Sequence, residues 1–255
     1  MFSVDSMSEG QFAGKAVIVT GGGTGIGQVT AREFARRGAD VLVVGRTAER
    51  LAETAEGFPR IRPFAADITS PGAAEEIVAA ALAEFGRLDV LVNNAGIVEP
   101  AALGEIKPGA FDGVVATNLL APVYLVQAAM PHLSAVVNVT TAIGQRGWPM
   151  AGREFYAATK AALESLTRSW AVQLAPRGIR VTAVAPGPVA TEIYAREGLT
   201  AEEAQAQHET LREMVPLGRL ARPEEVAHWI VELASPGADY ITGAVIPVDG
   251  GAVIA

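Results

Sequence analysis

The chain contains no cysteine among its 255 residues. Disulfides, thiolate nucleophiles and cysteine-ligated zinc or iron–sulfur centres are therefore excluded. Histidine is scarce too. His132, His208 and His228 lie far apart, and none has a second histidine at ligand spacing, so no metal is expected. No uninterrupted apolar run approaches the ~18 residues that a membrane span needs. The opening MFSVDSMSEGQF lacks the basic and apolar regions of a secretory leader and reads as a flexible tail over residues 1–11. A soluble, cytoplasmic protein without a membrane partner is expected. Basic residues are outnumbered, with a net charge of −8 and a pI near 5.0. Such a surface repels nucleic acid.

Apolar residues are plentiful, at 50% of the chain, enough for one large core. Short β-rich runs alternate with longer helix-like ones. KAVIVT (15–20), DVLVVG (40–45), RIRPFAAD (60–67), LDVLVNNAG (88–96), SAVVNVT (134–140), IRVTAVAPG (179–187) and AVIPVDGG (244–251) read as strands or strand–turn units. Helices are expected over 25–38, 71–86, 155–178 and 223–235, each with Gly, Pro or a periodic apolar face marking it. Several strands are apolar on both faces, as in a parallel sheet covered by helices on both sides. The expectation is a single doubly wound, Rossmann-like α/β domain over 12–255. An insertion at about 190–218 would shape the substrate site.

TGGGTGIG (20–27) follows the first strand and opens the first helix. Gly21, Gly25 and Gly27 suit a turn whose backbone N–H groups receive a pyrophosphate at a helix start. The spacing is GxxxGxG rather than GxGxxG. The second strand ends at Gly45 and Arg46. No carboxylate stands there to bond a ribose diol, and Arg46 can pair with a 2′-phosphate, so NADP(H) is favoured over NAD(H). The competing reading of Arg46 is a solvated charge. Asp67, beside Ile68, closes the third strand and can bond an adenine or cap its own turn. NNAG (93–96) suits either a ligand-lining sheet edge or a plain turn.

Tyr156 and Lys160 stand four residues apart on an expected helix, hence on one face. A phenol titrates near about 10, and a neighbouring ammonium favours its anion. The pair is a plausible acid/base device, although the same spacing occurs on ordinary helix surfaces.

TGGGTGIG, NNAG, Asn118, Thr140-Thr141, YAATK and PGPVAT follow one another in an order that resembles the short-chain dehydrogenase/reductase family, from about Phe12 to Gly251. The resemblance implies a seven-stranded parallel sheet, a homotetramer or homodimer, and oxidation of a secondary alcohol or reduction of a carbonyl in a small-molecule substrate. It implies that Thr20, Gly21, Gly23, Thr24, Gly25, Ile26 and Gly27 form the pyrophosphate turn. It puts Asn94, Ala95 and Gly96 at the sheet edge by the cofactor, with Asn93 on the adenosine side. Pro186, Gly187, Val189 and Thr191 would cover the nicotinamide. Tyr156 would be the acid/base, Lys160 its charged partner and ribose ligand, and Asn118 the holder of a relay water through a kink in its helix. The family usually has serine where this chain has Thr141, and the interval from Thr141 to Tyr156 is longer than usual. Threonine keeps the hydroxyl that would steady a carbonyl but adds a methyl that restricts χ1.

Trp148, Met150, Phe155, Tyr194, Leu199 and Met214 are candidates for lining an apolar substrate cleft, or for packing and subunit contacts. Arg146 and Arg153 are candidates for meeting a carboxylate or phosphate. The stretch 192–219 reads as a lid. A 3-oxoacyl-carrier-protein reductase is the specific role considered, by analogy alone. A non-catalytic dinucleotide sensor is the reading from another class.

Overall fold

The computed structural model describes residues 10–145, 152–191 and 201–255, with only the backbone of 201–204 and 207. The strands are β1 (Ala16–Thr20), β2 (Asp40–Gly45), β3 (Ile61–Ala65), β4 (Val90–Asn93), β5 (Ala135–Val139), β6 (Arg180–Pro186) and β7 (Val245–Val248). The helices are α1 (Gly25–Arg36), α2 (Ala48–Ala55), α3 (Ala73–Phe85), α4 (Asp112–Val115), α5 (Ala121–Ala129), α6 (Glu154–Leu174), α7 (Ala201–Glu213) and α8 (Pro223–Ala234). All seven strands are parallel, in the order β3-β2-β1-β4-β5-β6-β7. Among the described residues, no helix is long and apolar enough to cross a membrane.

Side-chain alternation along the strands builds two cores. Val17 and Val19 of β1 point to the face covered by α1 and α8, where Phe34, Val226 and Ile230 are fully buried. Ile18 between them points to the opposite face, against Ile77 of α3 and Leu125 of α5. Each such side chain removed from water contributes about 1.5–3 kcal/mol. Helix α1 forms because Ala31, Phe34 and Ala35 recur on its sheet-facing side, and it stops where Gly38 turns at φ +94°. Phe12 is buried beside Phe34, and Gln11 accepts a bond from Arg37, so the last residue of the expected tail is tied to the fold.

The structure differs from the sequence expectations in several places. Helix α2 and the α4–α5 rod were not marked by periodicity. The helix expected over 155–178 ends as an α-helix at Leu174, and Ala175–Arg177 continues as a 3₁₀ turn around Pro176. Between α4 and α5 the chain makes a π-helical turn over Ala116–Leu120, with the Ala121 N–H reaching back to the Ala116 carbonyl. Of the expected lid, residues 201–219 are described: α7 and the turn after it, which carries the buried Val215.

Strand order reverses at β1, whose neighbours are β2 and β4. Their connections leave on opposite faces, so a crevice opens at the carboxyl ends of β1 and β4. The glycine turn and the NNAG segment both fall there.

Candidate active site

The floor of the crevice is a lock between two strand ends. The Thr20 hydroxyl donates to the Val92 carbonyl (3.2 Å) and accepts from the N–H groups of Asn94 (3.0 Å) and Ala95 (3.1 Å). The Asn94 amide donates back to the Thr20 and Gly21 carbonyls at 2.9 and 3.2 Å. Glycine is needed above this lock. Gly21 sits at φ +64°, and a Cβ there would meet the Ala95 Cα at 2.9 Å. A Cβ on Gly27 would lie 2.3 Å from the Gly21 carbonyl oxygen. These glycines let the backbone N–H groups at the start of α1 face open space, the cradle an anionic phosphate requires.

Asn93 departs from its expected place. Its side chain is turned into the sheet, 2% exposed, and donates to Asn138 at 2.9 Å. It supports the strands and does not line the cleft.

Helix α6 carries Tyr156 and Lys160 one turn apart into the same crevice. Lys160 is buried, and its ammonium donates to the Val139 carbonyl at the end of β5 (2.8 Å). Desolvation lowers its pKa from the ordinary 10.5 to about 8. A side chain on Gly96 would press on this ammonium, since its Cβ would stand 3.3 Å from Nζ.

Asn118 lies in the π-helical turn and is fully buried. Its amide clamps the backbone of Ile97, accepting from the N–H and donating to the carbonyl, both at 2.9 Å, and it donates to the Thr159 hydroxyl at 3.3 Å. One side chain thereby ties the segment after NNAG to α6. The kink expected from the family resemblance takes the form of this wide turn, a feature that recurs at functional sites.

Thr140 and Thr141 are separated by their surroundings. The Thr140 hydroxyl lies 3.1 Å from the buried Glu164 carboxylate and 3.3 Å from the Val184 carbonyl, tying β5 to α6 and β6. Gln145 donates to the same Glu164 oxygen at 3.0 Å. Glu164 thus holds both ends of the short segment that carries Thr141, which is 6% exposed and lines the cleft with Tyr156 and Lys160.

The remaining wall is the strand end after β6. Pro186, Gly187, Val189 and Thr191 line the cleft, and Thr191 closes over Gly25, whose Cβ would stand 3.3 Å from the threonine methyl. Gly21, Thr24, Gly25, Ile26, Gly27, Asn94, Ala95 and Gly96 line the same cleft. Gly23 opens onto an adjoining groove beside Arg50. Gly45 and Arg46 end β2, and Asp67 and Ile68 follow β3, all beyond the lined cleft on the side of the adjacent strands. Arg46 is exposed. Asp67 accepts from the Thr69 N–H (2.9 Å) and hydroxyl (2.7 Å), which lower its pKa, with a smaller contribution from the Arg46 charge. Asp67 therefore caps its own turn, and Ile68 packs on the second core.

Of the substrate candidates, Trp148, Met150, Tyr194, Arg146 and Leu199 lie outside the described residues. Phe155 is not brought into the cleft. Its ring stacks on Phe111 with centroids 3.9 Å apart, because on α6 it points away from the side of Tyr156 and Lys160. Met214 packs with Ile143 against Val215 and Ala252. Sequence reasoning missed Val98, Ile143 and Leu211, which line the cleft. The one available signal was Leu211, an apolar residue in an otherwise polar helix.

A doubly wound parallel sheet with a glycine turn at its switch point, and a Tyr–Lys pair beside a strand-end hydroxyl, defines a class of dinucleotide-fold oxidoreductases. A family model described as enoyl-(acyl carrier protein) reductase matches residues 21–253. The chain belongs to the short-chain dehydrogenase/reductase family and is an oxidoreductase. It is 38% identical over 250 residues to the 3-oxoacyl-[acyl-carrier-protein] reductase of Thermotoga maritima, covering 94% of this chain and 98% of that protein. It is 42% identical over 250 residues to the cis-4-hydroxycyclohexanecarboxylate dehydrogenase of Sinomonas cyclohexanicum, covering 94% and 97%. Among solved structures, the 3-ketoacyl-(acyl-carrier-protein) reductase of Brucella melitensis, complexed with NADH, superposes with a TM-score of 0.86 at 32% identity, covering 95% of this chain and all of that one.

Proposed function

We propose that the protein interconverts a ketone and a secondary alcohol with NADP(H). The observation that carries this reading is the convergence of Tyr156, the buried Lys160 and Thr141 on one cleft that runs to the glycine turn at α1. The residues present fit a dinucleotide. Gly21, Gly25 and Gly27 leave an open backbone cradle, and Pro186 to Thr191 close over it. When bound, the nicotinamide supplies or accepts the hydride.

The chain's own residues handle the proton and the geometry. Thr141 donates a hydrogen bond that holds the carbonyl oxygen. Tyr156 gives that oxygen its proton in reduction and takes it back in oxidation. The Lys160 ammonium, anchored on Val139, favours the phenolate that remains. Asn118 keeps Ile97 and Thr159 in register, so the NNAG edge and α6 hold a fixed spacing.

The Lys160 shift has a pH consequence. Its ammonium is the working form, and burial makes it lose that proton near pH 8 rather than 10.5. Values of kcat/KM, which report the free enzyme, are expected to fall as pH rises through about 8. Stability is expected to run the other way. Between the folded value near 8 and the unfolded 10.5, the unfolded chain binds more protons, so stability rises with pH across that window. A pH–kcat/KM profile for carbonyl reduction checks this, and one flat to pH 10.5 overturns it.

The preference for NADP(H) rests on Arg46, which ends β2 without a carboxylate neighbour at Gly45 or Thr47, while Asp67 is engaged by Thr69. A paired NADH/NADPH assay over ketones, 3-oxoacyl thioesters and secondary alcohols tests the whole reading. Arg46→Asp is expected to lower the NADPH-to-NADH ratio of kcat/KM by about 10- to 100-fold, the loss of one charge-assisted hydrogen bond. An NADH preference in the unaltered enzyme overturns the 2′-phosphate assignment.

A further inference from the structure

Three acidic side chains are buried among the described residues, Asp89, Glu164 and Asp249. Two of them serve the framework. Asp89 accepts from Lys15, Arg87 and the Ala16 N–H at the start of the sheet. Asp249 accepts from the N–H groups of Gly251 and Val253 in the turn after β7. Glu164 is different. It is 5% exposed, and its nearest partners are two uncharged side chains, Thr140 and Gln145, which stand on either side of Thr141. Its other oxygen faces Arg168 at 3.6 Å. Burying a carboxylate is costly unless donors meet its oxygens. Glu164 does not itself line the cleft, where the charged side chains among the described residues are Arg153 and Lys160.

The placement of Glu164 follows from the helix repeat. It comes four residues after Lys160 and eight after Tyr156, so the three lie along one ridge of α6. From there it reaches the turn that leaves β5. That turn starts at Thr140, whose N–H is held by the Val184 carbonyl at 2.8 Å. It runs through Thr141 into a short 3₁₀ stretch, Ala142–Gln145, where the Gly144 N–H bonds the Thr141 carbonyl at 3.2 Å. Gly144 presses on α6. A Cβ there would stand 3.1 Å from the Ala157 carbonyl oxygen and 3.4 Å from the Ala161 nitrogen, the residues next to Tyr156 and Lys160. The sheet fixes the first end of the turn without help from Glu164. The Gln145 end is bonded to α6 through Glu164, at 3.0 Å.

We infer that Glu164 is a positioning residue: by clasping this turn to α6 it fixes the Thr141 hydroxyl relative to Tyr156, and the stiffness of threonine makes the clasp necessary. A serine can rotate about χ1 to recover a misplaced bond. Threonine, branched at Cβ, is restricted there, so its hydroxyl points where its backbone sends it. A misplacement of about 1 Å costs on the order of 10²-fold in rate. The inference rests on the ketone/alcohol reading, with Thr141 as the donor to the carbonyl oxygen.

A cycle of variants at positions 141, 145 and 164 tests it, read as kcat for a ketone that the unaltered enzyme reduces, beside thermal unfolding. Glu164→Met keeps the length of the side chain and removes both acceptor oxygens. It is expected to lower kcat by about 10- to 100-fold, with the KM for the dinucleotide within about threefold. Glu164→Gln keeps one acceptor oxygen and lies between the two. Gln145→Leu opens the clasp from the turn and leaves α6 untouched, so a loss of kcat is expected there even if Glu164→Met does not fold. Thr141→Ala alone is expected to cost about 10²- to 10³-fold, the usual value of one donor to a developing oxyanion. In the Thr141→Ala and Thr141→Ser backgrounds, opening the clasp costs less than about threefold more, while any fall in Tm is the same in every background. Losses that multiply in full with Thr141→Ala, or that are as large with serine as with threonine, overturn the inference and leave the ketone/alcohol reading intact. So does near-normal kcat in Glu164→Met and Gln145→Leu. Near-normal kcat in Thr141→Ala removes Thr141 from the reaction and overturns the inference with it. Failure of the unaltered enzyme to reduce any ketone or oxidise any secondary alcohol overturns the reading itself, and the inference falls because no reaction remains for Glu164 to serve.

Discussion

Tyr156→Phe is expected to lower kcat by about 10²- to 10⁴-fold, the usual contribution of a positioned general acid or base. The change removes one hydroxyl and keeps the ring. The bonds that Lys160 and Thr159 make do not use that hydroxyl. Lys160 is bonded to the Val139 carbonyl, and Thr159 bonds the backbone carbonyl of residue 156. Dinucleotide affinity is therefore expected to stay within about threefold, less than the cost of one lost hydrogen bond. Single-turnover hydride transfer, measured beside dinucleotide titration, separates the two effects. A variant with near-normal turnover removes Tyr156 from the proton step. One that loses dinucleotide binding in parallel shows the hydroxyl to be a ligand first.

Gly27→Ala is expected to have the other large effect, through sterics rather than chemistry. The added methyl would stand 2.3 Å from the Gly21 carbonyl oxygen and 2.4 Å from the Asn94 amide nitrogen. The first neighbour is backbone and cannot rotate away. Relief requires either α1 or the glycine turn to shift, and the Thr20–Asn94 lock opposes the second route. Overpacking of this kind costs about 1–3 kcal/mol, which for a domain of this size corresponds to a fall in Tm of roughly 2–12 °C. The KM for the dinucleotide is expected to rise by about 10-fold or more, because the N–H groups at the start of α1 lose their common direction. Thermal unfolding and dinucleotide kinetics check both parts. An unchanged Tm with unchanged KM would show that the turn yields freely, contrary to its hydrogen bonding.

Much of the fold was legible because its signals are local. A strand buried on both faces needs an unbroken apolar run, and Val17, Ile18 and Val19 supply one whatever lies around them. Helix α1 announces itself through Ala31, Phe34 and Ala35, and its glycine turn through spacing alone. Helix α2 was not legible. It is eight residues long, and only Leu51 and Thr54 of it are buried, too few positions for a period to show. The π-helical turn at Asn118 is illegible for another reason. The Asn118 amide is satisfied by Ile97, a contact across 21 residues that no local pattern contains.

The candidate site divides in the same way. Tyr156 and Lys160 share a face because a helix repeats every 3.6 residues, so their pairing was determined by sequence order. That Lys160 is buried against Val139, and titrates near 8, depends on β5 arriving beside α6. Both threonines carry the same hydroxyl. Both line the cleft with Tyr156 and Lys160, and the tertiary structure distinguishes them by engaging the Thr140 hydroxyl with Glu164 and Val184. Asn93 and Asn94 are likewise adjacent in sequence, yet the pleat turns one into the sheet and the other onto the glycine turn. Sequence by itself determined the strands, the glycine turn and the spacing of the acid/base pair, because those follow from short-range geometry. The packed structure alone decided which of the two asparagines turns into the sheet, which threonine hydroxyl is engaged by Glu164, and that Val98, Ile143 and Leu211 line the cleft. Burial and direction are properties of elements that meet only when the chain has folded.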